Sequence, residues 1–115
     1  MIRLFHVTLG MLALSLPMIP QGRAAERVAL VIGNSAYRNV PELPNPTRDS
    51  SDVADALERM QFKVTRLQNA SAAELKNAVI ELGNSAEGAK MVVVFYAGHG
   101  IETNGENWLI PVDAN

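Results

Sequence analysis

A histidine between two glycines is the residue in this chain whose type and setting are best suited to chemistry. His99 lies between Gly98 and Gly100, shortly after the apolar residues 91–96. An imidazole both accepts and donates a proton near neutral pH, which makes it a general acid–base group. The two glycines leave the ring accessible and let another part of the backbone come close. A structural histidine that only hydrogen-bonds to nearby backbone explains the same short motif. The tripeptide alone therefore does not distinguish a catalytic from a structural histidine.

The absence of cysteine restricts the chemistry that this histidine could serve. Within the 115 residues it excludes disulfides, cysteine-ligated zinc and a thiolate nucleophile. Gly33 and Asn34 follow another apolar run but lack the further glycines of a dinucleotide-binding loop. We therefore predict no metal ion and no organic cofactor.

The first 25 residues have the composition of a signal peptide. A short basic start precedes the apolar residues 4–19, and small residues at Ala24 and Ala25 offer a cleavage site. The run is shorter than the ~20 apolar residues that a bilayer span needs. We expect an exported protein, periplasmic or secreted, and a domain over residues 26–115. An uncleaved membrane anchor and a buried N-terminal helix are the alternatives.

The residues that remain after cleavage are acidic. Of ten Lys and Arg residues, Arg3 and Arg23 are removed, which leaves eight against twelve Asp and Glu. This excess of negative charge disfavours a nucleic-acid partner, because nucleic-acid-binding proteins neutralise phosphates with a basic surface.

Three segments predict β-strands. Residues 27–32 and 91–96 are almost continuously aliphatic or aromatic, which is typical of strands covered on both faces. Residues 62–67 alternate apolar and polar side chains, as a more exposed strand does.

Two amphipathic helices are predicted between these strands. The first follows the proline-containing residues 40–47 and presents an apolar stripe within residues 53–60. The second begins at a capping box formed by Ser71 and Glu74 and ends near Gly83.

The order of these elements predicts an α/β fold with a mainly parallel sheet and helices on both of its faces. In such sheets, ligands bind beyond the carboxyl ends of the strands, where residues 33–37 and 97–100 lie. Farther along the chain, Asn104 and Gly105 predict a tight hairpin turn.

Several of these segments resemble the caspase-like cysteine peptidases, and the bacterial and paracaspase-type members are the most similar. The motifs are ALVIGNSAY, the proline-rich loop that leads into an acidic helix start, VVVFYAGHG, and NWLIPVDA. The resemblance extends over residues 27–114 without a large gap. It implies a caspase-like three-layer sandwich around a mainly parallel sheet, and cysteine-type endopeptidase activity on peptide or protein substrates.

The resemblance also implies roles for two neighbouring residues. His99 matches the catalytic histidine, which protonates the leaving amine while a cysteine thiolate attacks the scissile carbonyl. Gly100 matches the residue whose backbone N–H contributes to the oxyanion hole; a plain turn glycine is the alternative.

The nucleophile of the family has no counterpart in this chain. In caspases it follows the histidine by roughly 50 residues, whereas this chain extends sixteen residues beyond His99. We therefore expect a partial catalytic domain that lacks the C-terminal strands and pairs with a missing C-terminal segment or another chain. A non-catalytic caspase-like module that binds a peptide or a partner is the alternative function.

The resemblance implies a substrate-binding residue at the start of the first helix. Asp49 matches the acid with which paracaspase-like and metacaspase-like members receive a basic side chain, so cleavage after Arg or Lys is expected. Arg48 is adjacent, and animal caspases use an arginine near this place to hold an aspartate. An Asp in the first turn also stabilises a helix through its dipole without any substrate.

Overall fold

A computed structural model describes residues 25–115, so the predicted signal peptide lies outside the described residues except for Ala25. The described part contains seven elements: β1 (Arg27–Gly33), α1 (Pro46–Arg59), β2 (Lys63–Gln68), α2 (Ala72–Ala86), β3 (Met91–Ala97), β4 (Gly100–Thr103) and β5 (Glu106–Leu109). None of the helices in this part of the chain is long and apolar enough to cross a membrane.

The sheet is parallel and has the strand order β2-β1-β3. Gly33 at the end of β1 is level with Gln68 in β2 and with Ala97 in β3. All three strands therefore end at one edge, and the segments that follow them meet there. The predicted α/β fold with a mainly parallel sheet is confirmed.

The helices cover opposite faces of the central strand β1. On one face Leu30 and Ile32 form the core together with Ala78 of α2. Gly33 lies on the other face, where the side chain of Ser50 in α1 packs directly against it. Because side chains alternate between the faces of a strand, β1 is buried on both sides, and the three layers are α1, the sheet and α2.

The helices differ from their predicted form in two details. The buried positions of α1 include Ser50 and Ala54, whereas Met60, at the end of the predicted apolar stripe, is 56% exposed. Small residues at these positions let the helix approach Gly33 closely. The second helix passes through Gly83 and ends at Ala86; the left-handed residue that follows it is Gly88, with φ 78°.

β3 is less buried than its apolar sequence predicts. Val92 and Val94 are 45% and 55% exposed. β1 pairs with one side of β3, and no strand among residues 25–115 pairs with the other. An edge strand has fewer neighbours on both of its faces, which a run of apolar residues cannot reveal.

The last two strands form the predicted hairpin. β4 and β5 are antiparallel, and both Asn104 and Gly105 have positive φ, 53° and 80°, as a tight two-residue turn requires. After β5 the backbone N–H of Val112 donates to the Ala70 carbonyl, which joins the end of the hairpin strand to the loop that follows β2.

Gly33→Ala should destabilise the protein. A Cβ at this position would lie 2.5 Å from the Pro46 carbonyl oxygen and would also overlap Ser50. We expect a loss of about 1–3 kcal/mol, the usual cost of overpacking, measured by urea denaturation.

Gly83→Ala is the matched control, because a Cβ there has no atom within 4 Å and the residue lies inside a helix. It should stabilise the protein by about 0.5–1 kcal/mol. Equal effects of the two substitutions would contradict the close approach of α1 to β1.

Candidate active site

The loops at the carboxyl edge of the sheet are held together by one buried amide. Asn34, which follows β1, is 0% exposed. Its Oδ1 accepts the backbone N–H of Ala70 at 2.9 Å, and its own backbone N–H donates to the Ala97 carbonyl at 2.8 Å. Its Nδ2 donates to the Ile110 carbonyl at 3.3 Å. This one residue thus connects the end of β3 with the segments that follow β1, β2 and β5.

His99 follows β3 at this edge and its backbone is bound by two phenols. The His99 N–H donates to Tyr37 Oη at 2.7 Å, and Tyr96 Oη donates to the His99 carbonyl at 2.7 Å. The two hydroxyls are 3.1 Å apart, and both contact the Ile110 carbonyl, at 3.2 and 2.9 Å. Burial raises the pKa of Tyr96 above its ordinary value, and the hydrogen bond with Tyr37 raises it further. Tyr96 therefore stays a neutral hydrogen-bond donor at physiological pH.

The tyrosine pair accounts for the first glycine of the GHG motif. A Cβ on Gly98 would lie 2.5 Å from Tyr37 Oη and 2.6 Å from Tyr96 Oη. Gly98 therefore allows the close approach of two hydroxyls, where the sequence had suggested approach by another part of the backbone.

The imidazole of His99 is half-buried and touches two residues of one loop. Its ring meets that of Tyr37 edge to face, with centroids 4.6 Å apart. Its Nε2 is 3.0 Å from the Pro41 carbonyl oxygen. A carbonyl only accepts, so this hydrogen bond requires the proton on Nε2. In the neutral ring, Nδ1 then has the free lone pair that can take a proton.

Gly100 is the first residue of β4, and the hairpin does not use its N–H. The Ile110 N–H donates to the His99 carbonyl at 3.0 Å, which makes His99 and Ile110 a hydrogen-bonding pair of the ladder. The next pair, Gly100 and Leu109, is then of the non-hydrogen-bonded kind, whose N–H groups point away from the partner strand. The Gly100 N–H is thus directed outward, one residue from the imidazole.

Asp49 and Arg48 lie on opposite flanks of α1. Asp55 in α1 contacts Arg66 of β2 at 2.6 Å, so its flank faces β2. At 100° per residue, Arg48 lies only about 20° from Asp55 around the helix, whereas Asp49 lies about 120° away on the other flank. Because β1 separates β2 from β3, Asp49 is on the flank of β3, the strand that leads to His99. Both side chains are exposed.

Several residues that build the site were given no functional role by the sequence analysis. The two tyrosines and Asn34 act through contacts between segments that are 14 to 76 residues apart in sequence. Asp113 is another, since its Oδ1 accepts the backbone N–H of Ala72 at 2.8 Å and caps α2. Their position in the sequence could have identified them, since Asn34, Tyr37 and Tyr96 occur at or just after the ends of β1 and β3.

Comparison with known proteins identifies the class to which this fold and site belong. The chain is a member of the family described as Caspase domain, within the C14 peptidases, whose profile matches residues 26–115. The predicted resemblance is thereby confirmed.

Two curated proteins are similar to most of this chain. It is 37% identical over 94 residues to the human mucosa-associated lymphoid tissue lymphoma translocation protein 1 and 36% identical over 94 residues to the mouse homolog. Each match covers 82% of this chain and 11% of the relative. The chain therefore corresponds to a small part of these proteins.

Gly98→Ala should destabilise the protein by about 1–3 kcal/mol, because the new methyl group must displace both phenols. Gly100→Ala is the matched control in the same motif: its Cβ would meet only the Trp108 carbonyl, at an ordinary 3.5 Å. Urea denaturation of both variants measures the difference. A Gly98→Ala protein as stable as the Gly100→Ala protein would contradict the tight packing of the tyrosines on the motif.

Proposed function

We propose that this chain supplies the histidine and one oxyanion-hole donor of a cysteine endopeptidase. The observation that carries the proposal is the orientation of His99, whose Nε2 is bound to the Pro41 carbonyl next to the outward-facing N–H of Gly100. Membership of the caspase domain family supports the same assignment.

The geometry suits the proton transfers of acyl transfer by a thiol. With Nε2–H fixed on the Pro41 carbonyl, Nδ1 accepts the proton of a cysteine thiol, and the thiolate sulfur bonds to the carbonyl carbon of the substrate. The Gly100 N–H donates to the oxygen that gains negative charge. Nδ1–H then protonates the nitrogen of the breaking C–N bond, and the amine leaves. Water subsequently hydrolyses the thioester.

The thiol in this scheme comes from outside the 115 residues, which contain no cysteine. We propose that it is contributed by a C-terminal segment of a longer product or by another chain. The unpaired side of β3 among residues 25–115 supports such a supplement, because an added strand would satisfy its backbone groups.

We propose that Asp49 receives a basic side chain, so that cleavage follows Arg or Lys. Support comes from its flank of α1, which faces β3, whereas Arg48 is on the flank that faces β2. A carboxylate that faces a guanidinium forms a strong charge-assisted pair.

A non-catalytic caspase-like module that binds peptide is the second candidate function, and the absence of cysteine favours it. The export of the protein, inferred from residues 1–25, is proposed for either function.

The purified chain should not hydrolyse peptides that end in Arg, Lys or Asp, because it carries no thiol. The assay uses fluorogenic peptides and compares the chain with its His99→Ala variant. Turnover that survives purification and depends on His99 would contradict this prediction, since it would require another nucleophile.

The product of the reading frame continued beyond Asn115, called the extended protein below, tests the enzyme proposal directly. If it contains a cysteine within reach, His99→Ala should lower kcat by about 10²- to 10⁴-fold, the usual contribution of a general acid–base group, while the thermal midpoint is retained. An extended protein without cysteine favours the binding module. A His99→Ala variant that cleaves at the parental rate would contradict the catalytic role of His99.

In the extended protein, Asp49→Ala should lower kcat/KM for Arg and Lys substrates far more than Arg48→Ala does. The two residues are adjacent and both exposed, so each substitution is a control for the other. Loss of cleavage after Asp in the Arg48→Ala variant would reverse the assignment. Wild-type kinetics in both variants would place the specificity pocket elsewhere.

A further inference from the structure

One backbone hydrogen bond at the base of the β4–β5 hairpin is replaced by a tyrosine hydroxyl. In an antiparallel ladder, a hydrogen-bonding pair of residues exchanges two N–H···O=C bonds. His99 and Ile110 make only one of these directly, from the Ile110 N–H to the His99 carbonyl. In place of the other, Tyr37 Oη accepts the His99 N–H at 2.7 Å and donates to the Ile110 carbonyl at 3.2 Å.

We propose that Tyr37 is a positioning residue for the His99 imidazole, supported by Tyr96. That the positioned imidazole is catalytic rests on the proposed function, whereas the positioning itself rests on the geometry alone.

A single loop holds both ends of the histidine. Tyr37 binds the backbone N–H of His99, and Pro41, four residues later, binds the tip of its ring. The loop is closed by a backbone hydrogen bond from Leu43 to the Ser35 carbonyl at 3.1 Å. Tyr37 is only 6% exposed, so its ring is fixed and presses edge-on against the imidazole. The distance from the backbone anchor to the ring anchor is therefore set by the fold of this loop.

Tyr96 provides the second hydroxyl on which this arrangement depends. Its Oη lies between the His99 carbonyl at 2.7 Å and the Ile110 carbonyl at 2.9 Å, and 3.1 Å from Tyr37 Oη. The pair has two hydroxyl protons for these acceptors, and each phenol also has an oxygen that can accept. Loss of the Tyr37 hydroxyl removes the acceptor for the His99 N–H and leaves the hairpin base either open or closed directly. Both changes move the imidazole relative to Pro41.

Amide hydrogen exchange in the 115-residue chain tests the positioning without any need for activity. In Tyr37→Phe, the His99 N–H should exchange about tenfold faster, as expected for the loss of one hydrogen bond. The exchange of core amides in β1 should be unchanged.

Asn39→Ala is the matched control, because it removes a hydrogen bond from the same loop, to the Ala114 carbonyl at 2.8 Å, without contact to His99. It should leave the His99 amide as in the wild type. Unchanged exchange at His99 in Tyr37→Phe, or an equal change in Asn39→Ala, would overturn the inference.

Fluorine NMR covers the case in which Tyr37→Phe does not fold. The chain has only two tyrosines, and both are in this cluster. Biosynthetic 3-fluorotyrosine therefore reports on these two phenols alone. The inference requires His99→Gln to shift both signals; signals that do not respond to His99→Gln would overturn it.

Kinetics of the extended protein separate this inference from the proposed function. Tyr37→Phe should lower kcat by up to about 10²-fold, the usual cost of misplacing a reacting group by 1 Å. KM should change little, because the phenol is bound to the histidine backbone and Tyr37 is only 6% exposed, which leaves little of it for a substrate to contact. If His99→Ala retains full activity, the proposed function fails while the exchange result stands. If His99→Ala is inactive and Tyr37→Phe has wild-type kcat, the positioning role fails alone.

Discussion

The site depends on the hydroxyl of Tyr37 inserted between the His99 N–H and the Ile110 carbonyl. This hydroxyl links the end of β3, the return arm of the hairpin and the loop after β1. The same loop provides the Pro41 carbonyl for the ring of His99. Without the insertion, a regular hairpin would pair His99 directly with Ile110, and the loop after β1 would lose its contact with the histidine backbone.

This arrangement is possible because the parallel sheet ends all three strands at one level. Gly33, Gln68 and Ala97 are in register, so the loops that follow them are neighbours. Asn34 then satisfies backbone groups from several of these loops at once. Among the described residues, no buried side-chain nitrogen or oxygen lacks a hydrogen-bond partner. A buried polar network of this kind specifies one geometry, because each unpaired group would cost free energy.

The sequence was sufficient to predict the element order, the hairpin turn and the Ser71–Glu74 capping box, because these depend on local periodicity and turn chemistry. It also indicated His99, through the glycines on either side. It could not predict that Gly98 accommodates two phenols, since Tyr37 lies 61 residues earlier. The exposure of β3 was missed as well, because a run of apolar residues does not reveal whether a strand is central or at an edge.

The proposed proton transfer depends on which nitrogen of the His99 ring carries the proton. Nitrogen-15 chemical shifts of the neutral imidazole, measured in the 115-residue chain with His6→Gln to leave one histidine, identify the tautomer. The hydrogen bond to the Pro41 carbonyl predicts a neutral ring with its proton on Nε2. A proton on Nδ1, or averaged shifts of a freely rotating ring, would contradict the proposed orientation of His99 and with it the role of Nδ1 in proton transfer.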